Sequence, residues 1–360
     1  MKNIVIIGAG VMGSALAVPA ADCSTNNVTL VGSVLDDDII KTVQSNRHHP
    51  TLDIAIPTTI DAITLDALDD ATLRSADIIV LGVSSAGIGW AMDYLKKRDI
   101  TPAVLALVTK GLVRADRDDS APLTYADVLD ATMTNPAAQI VGIGGPCIAR
   151  ELALKIPTRV TFAARDERIA QQMRHVFQTP YYRITTHEDI VALEACAALK
   201  NFLCIGVSAM FSAYPLDDSY AKNPIAALYN QAVRELYLLS EWISDSSPGH
   251  QRTRLQHQQY QHVAFDLAGM GDMHVTVGGG RNSRLGKYLG TGKRISEVIN
   301  GPMKGITVEG VDTGRNLLHG FRSACEQGQL EISQLPLTDT LLTCISNDSL
   351  FSFDFQQLPD

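Results

Sequence analysis

The 360 residues contain no Cys-x-x-Cys pair. The six cysteines (Cys23, Cys147, Cys196, Cys204, Cys325 and Cys344) are scattered, and none is grouped with histidines at metal-ligand spacing. That leaves no metal framework and points to a reducing compartment, the cytoplasm. The histidines, notably His48, His49, His187 and His274, likewise form no ligand-spaced set, and no Ser-His-Asp or Cys-His arrangement is legible. Positive charge is scarce: 30 Lys and Arg stand against 39 Asp and Glu, a net of −9. A general nucleic-acid binder needs a basic face, so that class is disfavoured. A small phosphate-bearing ligand needs only a few local cations and stays open. No apolar run is expected to reach membrane-span length. Internal repeats and low-complexity tracts are missing too. The nearest approach is a polar, Gln/His-rich stretch at 244–261, expected to be an exposed loop leading into a helix.

What is present is an ordinary globular composition, 46% hydrophobic and 19% charged, on a chain long enough for two domains with separate cores. The start, MKNIVIIGAGVMGSALAVPAA, has the look of a signal peptide, but three glycines at fixed spacing favour a buried strand and turn. Lys2 to Ile7 reads as that strand, followed by a helix to about Ala21. Apolar strand candidates then recur at Val28–Val31, Asp77–Val83, Ala103–Val108, Gln139–Ile143, Val160–Ala164 and Tyr182–Thr185. Helical segments such as Trp90–Lys97 and Glu167–Phe177 alternate with them. Such alternation implies a parallel sheet wrapped on both faces. Beyond about residue 187 strand signals mostly stop. Helical patterns follow at Glu188–Phe211, Ile225–Ile243, Gln256–Leu267, Ile295–Ile299, Thr313–Glu326 and Thr338–Ile345. The expected fold class is α/β: a doubly wound Rossmann sheet over 1–187, then a helical domain over 188–360.

Gly8, Gly10 and Gly13 lie between the first strand and helix, where a dinucleotide fingerprint belongs. The first glycine allows a tight turn, the second a close backbone approach to a pyrophosphate, and the third close helix packing. Val11 and Met12 complete the turn. An acidic residue about 20 positions on usually takes the ribose hydroxyls of NAD. Here the second strand ends at Ser33, taken as a coenzyme contact, and Asp36, Asp37 and Asp38 follow slightly late and also fit a solvated turn. No arginine marks NADP, so NAD and NADP both remain candidates. Lys110 follows a sheet strand, at the end that faces the ligand crevice in such folds. The turn Gly144-Gly145-Pro146-Cys147 offers exposed amides ahead of a helical segment.

Lys200 and Asn201 sit in an apolar helical run, where desolvation suits a lysine to proton exchange near neutral pH. A snorkelling surface lysine is the plain alternative. Asp272 and Thr276 are four apart and fit one helical face, and the aspartate is a candidate partner for Lys200. Arg281 and Asn282 follow three glycines and fit a clamp on a phosphate or carboxylate. His274 is close to this group but is not expected to be catalytic.

In this order the pieces resemble the NAD(P)-dependent glycerol-3-phosphate dehydrogenases: GAGVMGSALA, VTKGL, GGPCIAREL, HEDIVALEACAALKNFLCIG, GMGD with T and RNSRLG, and VEG. The resemblance spans roughly residues 3–340. It implies a Rossmann domain and an all-helical domain. The implied reaction interconverts glycerol 3-phosphate and dihydroxyacetone phosphate by hydride transfer to NAD or NADP, without metal. Motif by motif it implies Lys200 as acid/base with Asp272 beside it, and Lys110 touching substrate and cofactor. Gly145 and Cys147 fall on the substrate-contacting turn, Ala149 on a cofactor contact. Arg281 and Asn282 fall on the phosphate, with Arg281 also near the coenzyme, and Glu309 on the cofactor. Thr276 and Asn201 join the substrate wall. The implied partner is a small phosphorylated substrate; a homodimer is left open.

Several positions depart from the family. Cys147 replaces a serine or threonine, Gly280 replaces a serine, and the loop from Asp272 to Arg281 is shorter. The stretch between Lys200 and Asp272 is longer, with Gln231-Ala232 in place of Arg-Gly. These changes keep open another phosphorylated polyol or keto-sugar as substrate. A hydroxyacid or ketopantoate-type reductase and a dinucleotide sensor without turnover are the remaining alternatives.

Overall fold

The computed structural model describes all residues except 24, 99–103, 133–138, 217–218, 249–261 and 360. The chain divides into two compact units, Met1–Lys110 with Val128–Ile190, and Gly111–Asp127 with Val191–Asp360. The segment Gly111–Asp127 thus groups with the second unit although it precedes residue 187.

The first unit is built on eight strands: β1 (Lys2–Ile7), β2 (Asn26–Val31), β3 (Ile60–Ile63), β4 (Ile78–Leu81), β5 (Val104–Leu107), β6 (Gln139–Gly144), β7 (Thr158–Ala163) and β8 (Tyr182–His187). Their order is β8-β7-β6-β5-β4-β1-β2-β3. Neighbours pair in parallel except β6 with β7. Helices α1 (Val11–Asp22), α2 (Asp37–Asn46), α3 (Asp70–Ser75), α4 (Ile88–Lys96), α5 (Tyr125–Thr132), α6 (Ala149–Ala153) and α7 (Glu167–Phe177) connect them, α5 straddling the division between units. The central strands are continuous apolar runs because helices cover both faces; Ile4 to Ile7 and Ile78 to Leu81 are all buried.

The chain leaves β1 for β2 and β3 on one side, then returns to β4 on the other. That reversal places the carboxyl ends of β1 and β4 at a topological switch point, where such sheets bind ligands. Two elements were not anticipated. β3 buries only Ile60 and Ala62, as an edge strand does. Helix α2 starts among the three aspartates, with Asp37 and Asp38 in its first turn, where the helix dipole favours negative charge.

The second unit contains α8 (Ile190–Ala213), α9 (Lys222–Ser246), α10 (Asp272–Gly278), α11 (Arg281–Gly290), α12 (Ile295–Asn300), α13 (Glu309–Glu326) and α14 (Pro336–Asn347). Two short antiparallel pairs, Leu112–Val113 with Leu123–Thr124 and Pro215–Leu216 with Ser219–Tyr220, accompany them. One expectation needs correction: α8 is long and apolar enough to cross a membrane. Its apolar window is buried throughout, so it serves as the core helix of this unit. The segment at 111–127 is fastened to the helices by polar ties. Ala126 N donates to Glu194 Oε2 (2.9 Å), Ser247 Oγ to Asp127 Oδ1 (2.5 Å), and Asn316 Nδ2 to the Leu112 carbonyl (2.7 Å). Most of the Gln/His-rich stretch, with the start of the helix expected at Gln256–Leu267, lies outside the described residues. His262 to Asp266 carry a single 3-10 turn, and Leu267 opens a π-helix instead of closing the expected helix.

Helix α14 begins without a capping side chain of its own. Glu235 of α9 supplies one from a distance, accepting from Leu337 N (2.8 Å), Thr338 N and Oγ1 (both 2.6 Å) and Gln231 Nε2 (2.8 Å). Burial outweighs these four donors and pushes its carboxyl from 4.5 up to about 7. A folded-state value above the unfolded one means that the native state retains a proton the unfolded chain releases. The contribution is therefore fully present below pH 4.5 and is lost as pH rises through about 7. Denaturant titrations at pH 5 and pH 8 are expected to show a loss on the order of 3 kcal/mol from this group. Glu235→Gln, which cannot titrate, is expected to lack that component while being less stable at both pH values, because its amide Nε2 donor would face a backbone N–H donor, that of Leu337 or Thr338.

Candidate active site

In the first unit, β1 ends in the glycine turn. Gly8 has φ +110°, a conformation suited to glycine, and a Cβ there would lie 2.7 Å from Gly82 after β4. A Cβ on Gly13 would overlap the Gly8 carbonyl oxygen. Gly8 and Gly13 are therefore glycines for packing. Gly10, the N-cap of α1, differs: a Cβ there meets nothing within 4 Å. The protein's own packing does not demand a glycine at that point, and the space suits a pyrophosphate against the helix N-terminus. The residues present thus fit a dinucleotide. Val11 is 41% exposed beside this opening, and Met12 is half-buried.

The Ala9 peptide of this turn is held on both sides. Its N–H donates to Asp36 Oδ2 (3.0 Å), which also accepts from Ser33 N (2.8 Å). Asp36 is buried, so its reading as part of a solvated turn is corrected. On the other side His49, fully buried, takes Leu52 N–H on Nδ1 (3.1 Å), which leaves Nε2–H to donate to the Ala9 carbonyl (3.0 Å). Ser14 Oγ adds a second bond to that carbonyl (3.1 Å). Lys110 is half-buried after β5, next to Thr109, whose Oγ1 donates to the Val83 carbonyl (2.6 Å). Gly145, φ +134°, packs on Val160 at the end of β6. Cys147 follows half-buried, and Ala149 opens α6.

In the second unit the sequence-distant candidates converge. Lys200 is 3% exposed in the middle of α8. Its ammonium lies 3.1 Å from Asp272 Oδ1 and donates to Thr276 Oγ1 (2.6 Å) and Asn201 Oδ1 (3.3 Å). Thr276 accepts because its own proton is spent on the Asp272 carbonyl (2.7 Å). Asp272 and Thr276 share one face of α10, while His274 is exposed on the other. A five-residue π-helix, Leu267–Gly271, delivers the chain into Asp272. Tyr229 Oη donates to the Met270 carbonyl within that turn (2.6 Å). Such turns often mark functional positions.

Close backbone packing brings the Arg281–Asn282 end alongside. Gly286 and Gly290 of α11, one turn apart, abut the carbonyls of Ile205 and Ala209 in α8, also one turn apart. Gly310 of α13 abuts the Asn201 carbonyl. Any side chain at these three glycines would push the helices apart. Asn282 is buried, and its Oδ1 accepts from Gly310 N (2.9 Å), which leaves Nδ2 as its remaining donor. Arg281 pairs with Glu309 (2.5 Å) at a half-exposed position. Gly280 has φ +96° and ψ −176°, a region essentially reserved for glycine, so the missing serine coincides with a turn that disfavours one. One turn along α8 from Lys200, burial pushes the Cys204 thiol up to about 12, although Lys200 pulls it down. It remains a neutral thiol with no nucleophilic role.

Lys200, Asn201, Asp272 and Thr276 thus form one cluster, Asn282 reaches it through Gly310 against the Asn201 carbonyl, and Arg281 pairs with Glu309 beside Gly310. Asp36, His49, Gly82 and Gly310 were missed as contributors. Gly82 had a signal, a glycine ending an apolar strand as Gly8 does. Asp36 had only a shared signal, as one of three aspartates after the second strand, and His49 had none, because only folding brings them to Ala9.

Comparison with known proteins identifies the family. Residues 3–170 match the family model for the NAD-dependent glycerol-3-phosphate dehydrogenase N-terminus, and residues 189–350 match that for its C-terminus. The NADP(+)-dependent glycerol-3-phosphate dehydrogenase of Archaeoglobus fulgidus is 32% identical over 298 residues, 82% of each chain. The glycerol-3-phosphate dehydrogenase [NAD(P)+] of Koribacter versatilis is 28% identical over 318 residues, 87% of this chain and 86% of the relative. The fold is shared with the glycerol-3-phosphate dehydrogenase of Coxiella burnetii (TM-score 0.73, 22% identity, 97% and 96% of the two chains). It is shared also with that of Plasmodium falciparum (TM-score 0.78, 16% identity, 97% and 92%). The two family models together span most of both units, and this chain therefore belongs to the NAD-dependent glycerol-3-phosphate dehydrogenase family.

Proposed function

We propose that this protein interconverts sn-glycerol 3-phosphate and dihydroxyacetone phosphate, with NAD or NADP as the hydride carrier and Lys200 as the acid/base. The observation that carries this reading is the buried Lys200 ammonium, oriented by Asp272, Thr276 and Asn201. A bound reduced nicotinamide supplies a hydride to the carbonyl carbon. Lys200 supplies the proton: its Nζ–H bond breaks and an O–H bond forms on the carbonyl oxygen. The Asn201 contact is the longest of the three, so a substrate oxygen displaces it most easily. In the reverse direction neutral Lys200 takes the hydroxyl proton, and Asp272 stabilises the ammonium that forms. Arg281 and the Asn282 Nδ2 donor supply cationic and donor groups for the phosphate, Arg281 also serving the coenzyme, and Lys110 contacts substrate and cofactor. Gly145, Cys147 and Thr276 are the other substrate contacts, and Ala149 and Glu309 the other cofactor contacts.

The test is oxidation of NADH and NADPH with dihydroxyacetone phosphate against a panel of larger ketose phosphates and 2-keto acids. Turnover of dihydroxyacetone phosphate with the highest kcat/KM is expected. Turnover of only a larger ketose phosphate would replace the substrate while keeping the chemistry. Turnover of only 2-keto acids would remove the phosphate reading altogether.

A further inference from the structure

We infer that Asp36 makes the coenzyme site selective for an unphosphorylated adenosine ribose, that is, for NAD over NADP. The inference rests on the coenzyme reading of the glycine turn. Dinucleotide folds usually place the ribose-binding carboxylate at the end of the second strand. Here the strand ends without one, and the chain folds Asp36 back from the N-cap of α2. Its Oδ2 bonds Ala9 N in the glycine turn and Ser33 N at the strand end, which sets the carboxylate between the pyrophosphate turn and the end of the second strand, where such folds bind the ribose. The residue is 9% exposed, and its Oδ1 has no hydrogen-bond partner among the described residues.

A carboxylate only accepts hydrogen bonds. Ribose hydroxyls satisfy Oδ1 by donating to it. A 2′-phosphate brings acceptors and nearly two negative charges instead. The surroundings add to the repulsion. Asp37 and Asp38 are exposed in the first turn of α2. No Lys or Arg occurs between Asn26 and Ile40. Lys41 is paired with Asp37 (3.8 Å), and Arg47 spends its guanidinium on the carbonyls of Ile56, Pro57 and Ile60. The next strand, β3, contributes Asp61, and Asp66 follows it.

The test is titration of NADH and of NADPH into the full chain without substrate, read by calorimetry, beside kcat/KM for each with dihydroxyacetone phosphate. NADH is expected to bind at least tenfold tighter, about 1.4 kcal/mol. Asp36→Asn keeps an acceptor for Ala9 and Ser33 and removes the charge, so the ratio is expected to fall about tenfold, mainly through tighter NADPH binding. If that variant does not fold, the exposed pair Asp37→Asn with Asp38→Asn is expected to tighten NADPH severalfold. Equal or tighter binding of NADPH by the wild type overturns the inference, as does an unchanged ratio in the folded variants. A clear NADH preference without turnover of dihydroxyacetone phosphate supports it and removes only the substrate. Failure of both coenzymes to bind overturns both readings.

Discussion

Lys200→Ala is expected to lower kcat by roughly 10²–10⁴-fold, the range for loss of a positioned general acid. The KM for coenzyme should change little. The variant also carries a stability cost that must be separated from catalysis. Lys200 and Asp272 have side chains 4% and 5% exposed. Removing one partner of a buried pair leaves the other charge uncompensated, at about 3–5 kcal/mol. The double variant Lys200→Met with Asp272→Asn removes both charges and keeps most of the volume. It is expected to recover much of the stability but none of the turnover. Denaturation and steady-state assays on the same preparations check this. Recovery of turnover along with stability would show that the lysine holds the fold rather than the proton. The expected split has a physical basis, since a buried ion pair is poor value for stability and its retention points to function.

Two single-methyl changes in the glycine turn are expected to behave oppositely. Gly13→Ala places a Cβ onto the Gly8 carbonyl oxygen and close to Gly82, so α1 must move off the sheet. The cost is about 3 kcal/mol, at the upper end for overpacking, because the clashing atoms are backbone. Gly10→Ala meets nothing within 4 Å, and its φ of −67° is open to alanine. Its stability cost is about 1 kcal/mol, from a poorer N-cap. Coenzyme affinity is nonetheless expected to fall by roughly 100-fold, about 2.7 kcal/mol, because the methyl group occupies the pyrophosphate approach. Thermal unfolding and coenzyme titration of the two variants give the comparison. A Gly10→Ala protein that binds coenzyme normally would remove the cofactor from this turn.

The strands and long helices were legible because their signals are local. Continuous apolar runs mark β1 and β4, and the three glycines mark the turn, since each follows from the steric needs of neighbouring residues. The edge strand β3 was not legible: two buried residues out of four are too few for a pattern. Helix α2 was hidden by its aspartates, which read equally well as a turn. The apolar length of α8 looked unremarkable residue by residue, yet it is the one helix among the described residues that passes for a membrane span. Its burial, rather than its composition, makes it a core helix.

The residue types of the lysine cluster were also visible, since Lys200, Asp272, Thr276, Arg281 and Asn282 stand in recognisable motifs. Their assembly was not. Lys200 and Thr276 are 76 residues apart, and their hydrogen bond exists because α10 turns one face toward α8. Gly286, Gly290 and Gly310 carry no chemistry, but their missing side chains let α11 and α13 reach the backbone of α8. Asp36 shows the same limit in the first unit. It lies 27 residues from Ala9, and nothing in its neighbours distinguishes it from Asp37 or Asp38. The sequence by itself determined the fold class and the position of the glycine turn, because strand patterning and glycine spacing are short-range. The tertiary structure alone decided which aspartate bonds the Ala9 amide and which side chains, Asp272, Thr276 and Asn201 among them, meet Lys200. Those choices are made by contacts between residues far apart in the chain, after the backbone has packed.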